Sequence, residues 1–333
     1  MTGKAPADQR GRFGVLVINL GTPDAPEPGA VRRYLAEFLT DPRVIEIPQW
    51  LWRPILHGIV LRTRPSRSAH AYSQVWSDEG SPLAAITKRQ SIALQQRLGA
   101  AVTVDWAMRY GNPGIAGAIA KMVSAGCDRI LAAPLYPQYC AATTASAQDA
   151  VFAALARLRH QPALRTLPPY YDDPAHIAAL KISILRQLED LQFEPQRLLL
   201  SFHGMPLRTV ELGDPYYHHC QETARLLGEQ LPIPTDIAFQ SRFGRAKWIE
   251  PATDVVLAAY PEKGVRRIAV AAPGFSADCV ETLEELAIRG RDTFLAAGGQ
   301  RFACLECLND SPEGMNMLQA LIGRQLEGWR SPA

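Results

Sequence analysis

Short apolar runs alternate along this chain with longer segments whose apolar residues recur every three or four positions. The runs are Gly14–Leu20, Val102–Ala107, Arg129–Leu135, Arg197–Phe202, Thr235–Phe239, Arg267–Ala272 and a last one near Phe302–Leu308. They are rich in Val, Ile, Leu and Ala without strict alternation, as in strands buried on both faces. Helical periodicity marks Thr87–Leu98, Ile115–Ser124, Ala145–Leu158, Ala175–Leu191, Tyr217–Leu231, Cys279–Ala297 and Gly314–Leu326. Strand and helix in alternation predict an α/β fold with parallel sheets and right-handed crossovers.

The two halves repeat one another. Asn19-Leu20-Gly21-Thr22-Pro23 matches Phe202-His203-Gly204-Met205-Pro206, and Met108-Arg109-Tyr110-Gly111 matches Ser241-Arg242-Phe243-Gly244. Ala132-Ala133-Pro134-Leu135-Tyr136 matches Ala271-Ala272-Pro273-Gly274-Phe275. The expectation is a duplicated domain, 12–165 and 195–308, with Leu20 and His203 in equivalent positions. Gly21 and Gly111 lie 90 positions apart, Gly204 and Gly244 only 40. The first half therefore carries about 50 extra residues, placed between 30 and 85, on the premise of a shared core. This insertion mixes Trp50, Leu51 and Trp52 with Arg53, Arg62 and Arg64. It suits a lip over a ligand, a patch touching a membrane surface, or added helical packing.

Composition narrows the function. Of 333 residues, 35 are Lys or Arg and 33 Asp or Glu, and 47% are apolar. Near-neutral charge without basic runs argues against nucleic-acid binding, and the apolar content excludes disorder. The N-terminal residues lack an apolar signal core, so the expected location is the cytoplasm. Cys127, Cys140, Cys220, Cys279, Cys304 and Cys307 are too sparse for a disulfide framework.

Ligands of open α/β sheets bind beyond the carboxyl ends of the strands. The repeated Gly and Pro turns sit there, so a cleft between two facing domains is expected. No G-x-G-x-x-G, Walker A or G-x-S-x-G motif is present. Cys304-x-x-Cys307 is one pair without a second, weak ground for a metal. His203 ends an apolar strand before a tight turn, where an imidazole can take a proton or hold a metal. A histidine satisfied by backbone hydrogen bonds is the plainer alternative. Asp278 and Glu281 have the spacing of a capping box. Glu281, Glu285 and Arg289 recur every four residues and share one helical face, either a solvated face or a carboxylate row guiding a cation. Arg109, Tyr110, Tyr136, Tyr139 and Trp248 form an aromatic, basic rim suited to a flat anionic ligand. Tyr216 to Cys220 is read as the start of an exposed helix.

These motifs, with Tyr136-Pro137-Gln138-Tyr139 and Asp278-Cys279-Val280-Glu281-Thr282-Leu283-Glu284-Glu285-Leu286, resemble ferrochelatases, from about Gly14 to Leu326. The resemblance implies a chelatase-like fold of two similar Rossmann-like domains. It also implies that helix 312–328 packs back on the first. It implies iron insertion into a porphyrin, the last step of haem biosynthesis, with Fe²⁺ as substrate and no organic cofactor. Residue by residue, His203 matches the active-site histidine, Glu281 the carboxylate facing it, and Glu285 the acidic path. The three are the implied metal residues. Trp248 matches a pocket residue, and Arg64, Tyr72 and Ser81 match groups contacting the propionates. Lips in this family touch membrane in some members, so peripheral contact through 50–61 is expected.

Departures refine these expectations. Cys279 stands where some relatives have histidine. Only two late cysteines are present, so no iron–sulfur cluster is expected. Leu20 stands where coproporphyrin-using relatives often have tyrosine, which favours protoporphyrin IX. The rivals are a coproporphyrin III ferrochelatase and a tetrapyrrole carrier without catalysis. Oligomeric state is not readable from the sequence.

Overall fold

The computed structural model describes residues 12–244 and 246–329. Strands β1 (Arg12–Thr22), β2 (Val102–Gly111), β3 (Cys127–Pro134) and β4 (Ala163–Thr166) form one parallel sheet in the order β2-β1-β3-β4. Strands β5 (Arg197–His203), β6 (Thr235–Gln240), β7 (Arg267–Ala271) and β8 (Arg301–Cys304) form a second in the same order, β6-β5-β7-β8. The duplication is thus a duplication of topology. Strand β4 escapes the sequence pattern because it has only four residues, none of them fully buried.

The motif alignment slips against the observed ladders. Gly21 pairs with Tyr110 in the first sheet, whereas His203 pairs with Gln240 in the second. Anchored at Gly21 and Gly204, Tyr110 is therefore equivalent to Ser241, two positions from the motif match. What truly repeats is a steric requirement. A Cβ on Gly21 would lie 1.9 Å from the Tyr110 carbonyl oxygen, and one on Gly204 would lie 2.6 Å from that of Gln240. Gly21 also has φ +122°, a backbone that side chains rarely adopt. Each first strand ends in glycine because its neighbour crosses there at backbone distance.

The insertion between β1 and β2 is helical. It comprises α1 (Pro28–Phe38), α2 (Gln49–Ile55), a π-helical turn (Leu56–Val60) and α3 (Leu61–Val75), ahead of the crossover helix α4 (Pro82–Leu98). Pro54 and Pro65 lie inside these helices. The helices persist because Leu56, Leu61 and Tyr72 pack on Val31, Tyr34 and Leu39. Trp52 Nε1 also donates to the Leu39 carbonyl at 2.6 Å. The first half continues through α5 (Ile115–Ser124), a π-helical turn (Ala141–Ala145) and α6 (Ser146–Leu155). Helix α7 (Pro174–Glu189) leads to the second half, with α8 (Leu207–Glu211), α9 (Tyr216–Gly228), α10 (Thr253–Ala259), a π-helical segment (Glu281–Gly290) and α11 (Arg291–Ala296). Helix α12 (Pro312–Leu326) closes the fold.

One apolar core joins the sheets. It runs from Val15 and Val17 through Ile177 and Leu180 of α7 and Leu318 and Leu321 of α12 to Leu198, Leu200 and Phe202. Each such fully buried aliphatic side chain contributes about 1.5–3 kcal/mol. This core sets the carboxyl ends of β1 and β5 on one cleft.

Candidate active site

One cleft opens where the carboxyl ends of β1, β3, β5 and β7 meet the insertion. The end of β1 supplies Asn19 to Thr22, and the segment after β3 supplies Leu135, Tyr136 and Gln138. The end of β5 supplies His203, and the segment after β7 supplies Gly274 to Ala277 and Cys279 to Glu281. Tyr72, Ser81 and Leu83 reach in from the insertion. The walls are predominantly apolar, so the few polar groups carry the chemistry.

His203 lines the cleft and is also bonded to its own backbone. Its Nδ1 donates to the Gly204 carbonyl oxygen at 2.7 Å, which directs the tautomer. Nε2 is left with its lone pair and no partner among the described residues. The Tyr216 hydroxyl donates to the His203 carbonyl at 2.9 Å and fixes the strand end. Tyr216 is 8% exposed and Cys220 fully buried. The start of α9 is therefore two-faced, with Tyr216 on the cleft and His218 exposed on the other side.

Glu281 opens onto the same cleft, and its carboxylate has no salt-bridge partner among the described residues. The Gln240 amide donates to its main-chain carbonyl at 3.2 Å. Burial and the adjacent Glu281 push the Cys279 thiol well above its ordinary range, so it stays protonated. Burial, then the charge of Glu281, does the same to Tyr72. Thr22 Oγ1 donates to Ser81 Oγ at 2.8 Å. The Tyr136 and Ser276 hydroxyls are buried and unpartnered.

The carboxylate row is not formed. Residues 281–290 wind as a π-helix, in which neighbours stand five apart rather than four. Arg289 accordingly pairs with Glu284, Nε donating at 2.8 and 2.9 Å, while Glu285 lies 3.8 Å away. Glu285 turns aside to accept from Ser241 N at 2.7 Å and Ser241 Oγ at 2.6 Å. It lines a second cavity with Trp248. Asp278 does not cap through Glu281 either. Its carboxylate is buried and accepts from Thr282 Oγ1 at 2.8 Å and Asn309 Nδ2 at 2.6 Å.

Leu20, Tyr72, Ser81, Tyr136, His203 and Glu281 thus come together, whereas Arg64, Arg109, Tyr110, Tyr139, Trp248 and Glu285 lie outside this lining. Arg109 and Tyr110 leave the rim because Asp41 claims them. Arg109 Nη2 lies 2.5 Å from Asp41 Oδ2, and the Tyr110 hydroxyl donates to the same oxygen at 2.8 Å. Tyr110 is fully buried. Trp248 and Glu285 line the second cavity, together with Gln240, whose amide donates to the Glu281 carbonyl. Arg64 is outside the lining of the first cleft. Its guanidinium stacks 5.0 Å from the Phe243 ring, bridging the insertion to the second half. Asn19, Gln138, Tyr216 and Ser276 line the cleft without having been singled out. Their common signal is position within five residues of a strand's carboxyl end, or on the helix face turned to it. Among the described residues no three His, Cys, Asp or Glu converge as a metal cluster.

A family model described as Ferrochelatase matches residues 12–326. A ferrochelatase of Rhizobium meliloti is 51% identical over 331 residues, covering 97% of this chain and 98% of its own length. One of Bordetella pertussis is 50% identical over 325 residues, covering 96% and 90%. Among solved structures, SirB from Bacillus subtilis with Fe³⁺ superposes with a TM-score of 0.54 at 12% identity, covering 95% of this chain and 96% of that one. CbiX, a terminal enzyme of sirohaem biosynthesis in denitrifying bacteria, gives 0.53 at 16%, covering 94% and 100%. These two share the fold, a two-domain chelatase. The chain belongs to the ferrochelatase family, enzymes that insert iron into a porphyrin in haem biosynthesis.

Proposed function

We propose that this chain inserts Fe²⁺ into protoporphyrin IX, with His203 as proton acceptor and Glu281 as the carboxylate that receives iron or passes a proton on. The observation carrying this reading is the tautomer of His203. With Nδ1 donating to the Gly204 carbonyl, Nε2 is a base held in an apolar cleft that also contains an unpaired carboxylate. Insertion releases two pyrrole protons as two nitrogen–iron bond pairs form, so the site needs proton acceptors beside the ring. Imidazole and carboxylate hold Fe²⁺ weakly, which suits a metal that must leave them. The apolar walls favour a ring bent out of plane by contacts remote from its centre.

Leu20, Leu83, Leu135 and Val280 support the choice of protoporphyrin. An apolar wall accepts vinyl groups, whereas two further carboxylates there would be desolvated without partners. Tyr72 and Ser81 line the cleft and in this reading contact the propionates, with Arg64 as the cation of the same insertion. The test is anaerobic turnover of protoporphyrin IX beside coproporphyrin III. A preference for coproporphyrin overturns the role of Leu20. Binding of both without turnover makes the protein a carrier. His203→Ala is expected to lose at least about 100-fold in kcat with unchanged melting temperature, and normal turnover refutes its role.

The insertion supports a further reading, peripheral membrane contact. Trp50 is 76% exposed and Ile59 61%, with Leu51 and Ile55 also exposed. Arg53 and Arg62 stand exposed among them, a combination suited to an anionic interface. No helix among the described residues is long and apolar enough to cross a membrane. Co-flotation with anionic vesicles, lost in Trp50→Asp, is the expected result. Equal flotation of both proteins rejects it.

A further inference from the structure

One buried amide of the cleft has no part in the roles given to His203 and Glu281. Gln138 is 2% exposed and lines the cleft just beyond β3. Its Nε2 donates to Thr223 Oγ1 at 3.1 Å. Chemistry decides which amide atom is which. The single hydroxyl proton of Thr223 is committed to the carbonyls of Tyr171 and His219, at 2.8 and 3.0 Å. Its oxygen can therefore only accept from Gln138. The amide nitrogen faces Thr223, and Oε1 faces the cleft beside Gly274, where a Cβ would stand 3.3 Å from it. No described residue donates to Oε1.

The same helix holds His203. Tyr216 fixes the His203 carbonyl and Thr223 fixes Gln138, and the two anchors stand seven residues apart on one face of α9. The proton acceptor and the amide are thus carried in one rigid frame.

Oε1 opens onto the cleft, so water meets it in the free protein, and a ligand that displaces that water must supply a donor in its place. The porphyrin has few donors. Its carboxylates and imine nitrogens only accept, and its vinyl, methyl and meso groups are apolar. Only the two pyrrole N–H groups of the metal-free ring donate. We propose that Gln138 Oε1 accepts a pyrrole N–H of the metal-free macrocycle and thereby distinguishes substrate from product. An amide oxygen is too weak a base to remove that proton, so it holds the N–H while His203 and Glu281 take protons away. Free base and Fe²⁺ give iron porphyrin and two protons. The product has no N–H, loses this hydrogen bond and leaves more readily. The proposal rests on the porphyrin reading of the cleft but not on the choice of protoporphyrin.

The test compares binding of protoporphyrin IX with that of its nickel(II) complex, a square-planar metalloporphyrin without N–H. Quenching of tryptophan fluorescence in the full chain reports both. Gln138→Leu is expected to bind the free base about five- to tenfold more weakly and the nickel complex unchanged. If Gln138→Leu does not fold, Thr223→Val, which frees the amide to turn, should weaken the free base alone. Equal weakening of both ligands means packing and overturns the proposal. A raised KM for Fe²⁺ with intact free-base binding makes the amide a metal ligand and also overturns it. If the unaltered protein binds neither ligand, the porphyrin reading fails first. If it binds both and Gln138→Leu changes nothing, only this proposal fails.

Discussion

Arg109→Ala should lower stability and leave porphyrin binding intact, the reverse of what a rim residue would do. Asp41 is 4% exposed at its side chain and Arg109 17%. On Asp41 Oδ2 converge Arg109 Nη2 at 2.5 Å, Ser146 Oγ at 2.6 Å and the Tyr110 hydroxyl at 2.8 Å. Oδ1 accepts from Arg43 N at 2.7 Å. Removing one member of a buried ion pair costs about 3–5 kcal/mol. Three donors still solvate the orphaned carboxylate, which brings the expected loss to about 2–3 kcal/mol. At this chain size the melting temperature should fall by about 4–8 °C. Thermal unfolding beside porphyrin KM is the assay. Asp41→Asn and the double variant complete a cycle whose coupling should exceed about 1 kcal/mol. Burial raises the Asp41 carboxyl, but bonds from Ser146 and Tyr110, the Arg43 N–H and the Arg109 charge carry it below its ordinary range. A depressed carboxyl stabilises above its unfolded value, about 3.9, and loses that contribution as pH falls through the folded value. The gap between the unaltered protein and Asp41→Asn should therefore close below about pH 4. Additive single effects, or a large rise in porphyrin KM at unchanged melting temperature, would refute the reasoning.

Gly21→Ala should destabilise by about 3 kcal/mol or more, because its Cβ would meet the Tyr110 oxygen at 1.9 Å on a backbone with φ +122°. A melting temperature within about 2 °C of the parent would contradict that. His176 is 1% exposed, and burial holds its imidazole down at about 4. Between pH 6.5 and that value the unfolded chain binds a proton that the folded one does not, so stability falls as pH falls. The loss at pH 5 relative to pH 7 should be about 2 kcal/mol, and it should vanish in His176→Leu. An identical pH slope in both proteins would show that this histidine is not the cause.

The sequence carried the strands well because strands buried on both faces must be apolar throughout, as in Val15 to Ile18 and Leu198 to Leu200. The placing of His203 and Glu281 on the cleft was legible because each sits at a strand end or the helix start behind one, where backbone topology alone opens the cleft. Register was not legible. A match of Gly-containing turns does not say which residues pair across strands, and the second motif slipped by two positions. Helical face was not legible either. Glu281 and Glu285, four apart, line different cavities because Ser241 N and Oγ hold the Glu285 carboxylate, a partner 44 residues away. Arg109 and Tyr110 were misplaced because their partner, Asp41, is 68 residues distant and nothing local announces it. Gln138 and Tyr216 matter through α9, a tertiary contact that no pattern along the chain records.

Duplication followed by divergence explains how the cleft divides its labour. Leu20 and His203 end the central strands of two sheets with the same strand order, and each precedes a glycine that backbone crowding demands. The scaffold thus offers the same outlet twice, from opposite walls of one cleft. On the first wall it is filled by an apolar side chain, and the inserted helices bring Tyr72 and Ser81 beside it. On the second it is filled by an imidazole, with Glu281 on the segment that follows β7. On the proposed function a flat ligand meets both kinds of wall, one to hold its face and one to exchange protons and metal at its centre. Exchanging the two residues, with histidine at 20 and leucine at 203, would keep the composition of the cleft and the turn geometry of both strands. It would nevertheless separate the base from Glu281, from the Gly204 carbonyl that sets its tautomer and from the helix that holds Gln138. Turnover should therefore be lost in that double variant, because the reactive arrangement belongs to one wall and not to the pair of equivalent positions.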